Sequence, residues 1–170
     1  MKRSSVLFMG LFSFLFGSCF KKSENITSIE VDTHKKVGAM DEPKVVLTES
    51  TASRFHPGQV WAFTPPAGQP EARLTILRVE DGAKAGRIVH ISLSGVKYGG
   101  GHTHIQHLPL AEAAIEKSVT SLDRKTGPIP DFSEGYKQWR TAFDAGKGGV
   151  FTISVAEAFD FVTSVIEKKP

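Results

Sequence analysis

The chain has one cysteine in 170 residues, Cys19, so it can form no internal disulfide and no Cys-rich zinc site. It lacks any apolar run of the ~20 residues that a membrane-spanning helix needs. It also lacks an excess of one charge, with 21 basic residues against 18 acidic ones and a formal net charge of +3. Two of the basic residues, Lys2 and Arg3, lie in a segment expected to be removed. The remaining 19 basic and 18 acidic residues give a net charge of +1. The basic pairs Lys21-Lys22, Lys35-Lys36 and Lys168-Lys169 fall in tails, so no basic stripe forms and nucleic acid is not an expected partner. Catalytic signatures are missing too. There is no H-E-x-x-H pattern and no G-x-S-x-G elbow, and Gly99-Gly100-Gly101 is not followed by the Lys-Ser or Lys-Thr of a phosphate loop. With 40% hydrophobic and 23% charged residues, the composition is that of a soluble globular protein.

The most informative stretch is the first nineteen residues, MKRSSVLFMGLFSFLFGSC. Lys2 and Arg3 make a positive start, and Val6 to Gly17 is a twelve-residue apolar core, the length of a signal-peptide h-region. Gly17 and Ser18 are small and Cys19 follows directly. This pattern resembles the lipobox of bacterial lipoproteins, with Phe16 at the bulky position where Leu is usual. The resemblance implies that residues 1–18 are a signal peptide cut off just before Cys19, and that the Cys19 thiol carries the lipid. Phe20, and not Asp, follows the cysteine, so by the same resemblance the outer membrane is favoured.

Residues 19–53 are expected to be the lipidated N-terminus and a flexible tether, because their Lys, Ser, Thr, Glu and Asp content cannot bury enough apolar area to offset ordering. Residues 54–168 are expected to form a single α+β domain: a small antiparallel sheet of about three to five strands packed with two or three C-terminal helices. Gln59–Phe63, Arg73–Glu80 and Arg87–Ser94 read as strands, the last with Val89, Ile91 and Leu93 on a buried face and Ile88, His90 and Ser92 opposite. Leu110–Val119 reads as a short helix with Pro109 in its first turn. Asp131 and Glu134 form a capping-box pattern ahead of a helix whose stripe is Phe132, Tyr136, Trp139 and Phe143. Val150–Ile153 reads as a strand, and Ser154 and Glu157 cap a last helix.

The domain resembles a family of small uncharacterised bacterial proteins. The residues that carry the resemblance are Pro57–Trp61, Leu74–Val79, Gly86–Ser92, His107-Leu108-Pro109, and Pro130–Glu157 around Gly135-Tyr136-Lys137-Gln138-Trp139. It implies the domain limits and no chemistry.

The one chemical constellation is the run from Gly99 to His107. His102, His104 and His107, with His90 from a neighbouring strand, are weak candidates for a Zn²⁺ or Cu²⁺ site. The favoured reading is a solvent-exposed His-rich loop that holds no metal. Asp131, Glu134, Asp144 and Glu157 read as caps and surface charges rather than as an acid–base pair. Trp61, Tyr136 and Trp139 read as core, and Tyr98 as the best exposed aromatic, so Tyr98, His102 and His104 are the candidate binding residues. No catalytic residue and no cofactor is expected. The expected function is a cell-envelope lipoprotein with a non-catalytic binding domain for a periplasmic protein partner, one version being an immunity-type lipoprotein. The alternatives are a metal-binding protein or metal-dependent hydrolase using His102, His104 and His107, and a structural envelope protein.

Overall fold

The structure, a computed structural model, describes residues 46–82 and 85–168. The expected signal peptide, Cys19 and most of the tether lie outside the described residues. Along the chain run β1 (Leu47–Glu49), β2 (Val60–Phe63), β3 (Arg73–Gly82), β4 (Gly86–Tyr98), a 3-10 turn (Gly99–Gly101), β5 (His102–Ala111), α1 (Glu112–Ser118), β6 (Val119–Arg124), α2 (Ser133–Asp144) and α3 (Val155–Glu167). The strands form one antiparallel sheet in the order β5-β4-β3-β2-β6, and β1 pairs with the far end of β3. The α+β class is as expected, with six strands in place of three to five.

The extra strands come from segments whose composition hides their pairing. Leu47, Thr48 and Glu49 pair with Gly82, Asp81 and Glu80, so residues assigned to the tether belong to the sheet. Arg87 fixes them there. Its Nε donates to Ser50 Oγ at 3.1 Å and to Asp81 at 3.0 Å, and its Nη1 reaches Glu112 at 2.7 Å. The His-rich run is a strand and not a loop, because only the three glycines turn the chain. Positive φ at Gly100 and Gly101 reverses its direction at no side-chain cost. Pro109 lies in β5 opposite His90 and not in a helix. Its carbonyl accepts from Phe151 on the outer edge, so the missing N–H also points away from β4. The Val150–Ile153 strand reduces to a single parallel bridge between Phe151 and Leu110.

One face of the sheet carries the main core. Leu74, Ile76 and Val79 of β3, Val89, Ile91 and Leu93 of β4, and Ile105, Leu108 and Leu110 of β5 pack with Ile115 of α1 and with Val155, Ala158 and Phe159 of α3. Each large side chain buried in this way contributes ~1.5–3 kcal/mol. One buried face was expected, yet Ile88, His90 and Ser92 are buried on the opposite face as well. The aromatic stripe of α2 lies over this second face, with the Trp139 ring centred 4.7 Å from that of His90.

Helix starts divide the two expected capping boxes. Ser154 accepts from the Glu157 N–H at 3.2 Å while Glu157 accepts from the Ser154 N–H at 2.9 Å, so the α3 box is complete. The α2 box is absent. Asp131 accepts from the Ser133 N–H at 3.0 Å in a turn two residues long, and Glu134 accepts from Gln138 at 2.9 Å. The first α2 turn then starts at Phe132 without a side-chain cap.

Candidate functional site

Two β-bulges assemble a buried polar chain between the sheet and α2. Side chains alternate along a strand, so one inserted residue sends every later side chain to the other face. In β3 the register shifts between Ile76, opposite Ile91, and Arg78, opposite His90. Leu77 is the extra residue. It keeps Val79 in the main core and turns Arg78 and Glu80 toward the His90 face. In β5 the partner of Ile91 is Leu108 and that of Leu93 is Ile105, so one extra residue falls at Gln106–His107. That second shift puts the His107 ring beside His90.

The chain of contacts is continuous. His90 Nε2 lies 3.0 Å from Glu80 Oε2, and His90 Nδ1 lies 2.9 Å from His107 Nε2. Tyr136 of α2 donates its hydroxyl to both Glu80 oxygens at 3.0 Å, and Arg78 Nε lies 3.3 Å from Glu80 Oε1. His90 is fully buried and Glu80 is 2% exposed. The two imidazole planes lie within 16° of each other with their centres 5.1 Å apart, edge to edge as the bond between their nitrogens requires, and the Phe132 ring is centred 6.3 Å from that of His107. Gly135 leaves room for this arrangement. A Cβ there would come within 2.8 Å of His107 Cβ.

Electrostatics fix the protonation pattern. Burial alone would raise the Glu80 carboxyl, but hydrogen bonds from His90 and Tyr136 and the nearby cationic charge hold it below the usual range. Burial pushes His90 down, against the pull of Glu80. His107 is pushed down to about 3 by burial first and then by His90. Burial, and next the bond to the Glu80 carboxylate, raises Tyr136. Near neutral pH, therefore, an ionised Glu80 accepts from His90 Nε2–H. The bare His90 Nδ1 accepts from His107 Nε2–H, which leaves His107 Nδ1 without a proton.

The candidate residues divide into two groups. Tyr98, His102 and His104 come together at the β4–β5 turn: the rings of Tyr98 and His102 stack at 5.2 Å, and the Tyr98 hydroxyl donates to the His104 carbonyl at 3.0 Å. Tyr98 is half-buried against Phe159 rather than freely exposed, while His102 and His104 are exposed. His107 and His90 are bound to each other instead. Among the described residues no three His, Cys, Asp or Glu side chains converge to hold a metal ion. Trp61 and Trp139 are buried, at 9% and 7% exposure, as their strand and helix patterns imply. Glu80, Arg78 and the polar role of Tyr136 escaped the sequence reading. The one available signal was a histidine set among Ile88, Val89 and Ile91.

No protein-family model matches the chain. Neither a curated protein nor a solved structure matches it.

Proposed function

We propose that the protein is a cell-envelope lipoprotein, anchored through a lipid on Cys19, whose α+β domain binds a periplasmic protein partner without catalysing a reaction. The observation that carries this reading is the lone cysteine placed directly after Gly17 and Ser18, behind a positive start and a twelve-residue apolar core. In the domain, His90 bonds Glu80 and His107 through its two ring nitrogens and Tyr136 bonds Glu80, so this cluster fastens α2 to the sheet, a structural task.

The test is the intact mass of the mature protein from its native cells, with extraction of the membrane fraction. A Cys19 N-terminus bearing lipid, released by detergent and not by salt, is expected, since buried methylenes hold it at ~0.8 kcal/mol each. Cys19→Ser should abolish both the modification and the cut before residue 19. An unmodified N-terminus at another residue, with the protein in the soluble fraction, would overturn the anchor. The binding role is tested by affinity capture from detergent-solubilised native membranes, where failure to recover a stoichiometric partner counts against it.

A further inference from the structure

The buried chain joins four elements. β3 supplies Glu80 and Arg78, β4 supplies His90, β5 supplies His107, and α2 supplies Tyr136, Trp139 and, near His90, the cationic Arg140, which pairs with Asp144 at 2.9 Å. Trp139 is the one buried residue of α2, with Tyr136 and Phe143 half-buried beside it. The contacts made by Tyr136 and Trp139 to the histidine chain join the middle of this helix to the sheet.

We propose that the Glu80–His90–His107 chain is an acid-released latch, in which protonation of the two hydrogen-bonded imidazoles breaks the bond between them and frees α2 from the sheet. The two rings have four nitrogens and, near neutral pH, two protons. A first added proton settles on His107 Nδ1 and leaves the ring–ring bond intact. A second must go to His90 Nδ1, where it sets one N–H against the other at 2.9 Å. Both rings are then cationic, and Arg78 and Arg140 face the same cluster with Glu80 as its one direct counter-charge. Burial makes this double charge costly, as the lowered values of both histidines indicate. Moving α2 outward hydrates the rings and uncovers His90. The main core, on the other face of the sheet, is untouched. This inference rests on the described domain and is independent of the lipid anchor.

Hydrogen exchange on the full chain at neutral pH and at about pH 4.5, corrected for intrinsic exchange, separates a latch from general unfolding. The α2 amides should exchange roughly tenfold or more faster in acid while β3 and β4 stay protected. In a Trp61→Phe variant, Trp139 emission should change over the same range. His107→Gln should weaken the acid response of α2 and leave the share that His90 carries. Loss of protection in the sheet together with α2 overturns the proposal. So does full protection of α2 down to about pH 4, or an acid response of α2 that is unchanged in His107→Gln.

Discussion

The indole N–H of Trp139 donates to the carbonyl of Gly149 at 2.8 Å, tying the middle of α2 to the segment that leads into α3. The same ring meets His90 at 4.7 Å and Phe143 at 4.9 Å. Trp139→Ala removes all three contacts and leaves a void, so it should cost ~3–5 kcal/mol. Trp139→Phe keeps much of the packing and should cost less than the alanine variant, though the Gly149 carbonyl loses its donor. Urea unfolding midpoints at neutral pH distinguish the two. Equal losses would mean that ring volume contributes little at this site.

The histidines should divide as their surroundings do. His102 and His104 are exposed at the β4–β5 turn, and the Tyr98 hydroxyl there bonds a backbone carbonyl that any residue provides. The double variant His102→Ala/His104→Ala should remain within ~0.5 kcal/mol of the parent. His107→Ala deletes the donor to His90 and empties the space against Gly135, so a loss of ~1–3 kcal/mol is expected. Thermal melts of the two variants side by side make the comparison. A His102/His104 variant as damaged as His107→Ala would place the important histidines at the turn.

How much was legible follows from periodicity. The period of 3.6 in Phe132, Tyr136, Trp139 and Phe143 and the Ser154–Glu157 box located α2 and α3, because each signal is local. The alternation of Val89, Ile91 and Leu93 located the core face of β4 for the same reason. The polar chain was not legible, because it depends on two bulges. Strict alternation along β3 from Leu74 and Ile76 puts Arg78 in the main core and Glu80 with it. The extra residue at Leu77 reverses both. The same argument, run from Ile105, sends His107 toward the main core, whereas the shift at Gln106–His107 brings it to His90. A bulge is a property of two paired strands, and neither strand records it alone. β1 fell within the stretch assigned to the tether for a related reason: three residues from a polar stretch gain their order from pairing with β3.

Gly95 in β4 offers a test of backbone constraint. Its φ is +69°, and a Cβ built there would lie 2.3 Å from the Glu71 carbonyl oxygen. The neighbour is backbone and cannot rotate away, so both the dihedral and the contact oppose any side chain. Gly95→Ala should destabilise the domain by ~2 kcal/mol or more. Gly68→Ala is the control, since its φ is also positive but nothing lies within 4 Å of the added Cβ. The difference between the two denaturation midpoints isolates the clash, and equal midpoints would mean that the 71–72 turn yields to it.

The pH dependence of global stability follows from the sign of the shifts. The His107 value falls from 6.5 to about 3 on folding, and His90 is also lowered. A lowered histidine binds its proton less readily in the folded state than in the unfolded chain. The stability tied to these groups is therefore fully present above pH ~6.5 and is lost as the pH falls toward the folded value. Each such group costs ~1.4 kcal/mol per pH unit across that window. Glu80, held below the usual carboxylate range by its bonds to His90 and Tyr136, adds a loss of the same sign at lower pH, where the unfolded carboxyl takes up a proton first. Unfolding free energy from urea titrations should thus be flat from pH 8 to about 7 and fall steeply between about 6 and 4. In His107→Gln the slope above pH ~5 should shrink by about one proton's worth, because glutamine takes none up in either state. An unchanged slope in that variant would show that His107 titrates freely in the folded protein, and that its ring is not sealed between His90 and Phe132.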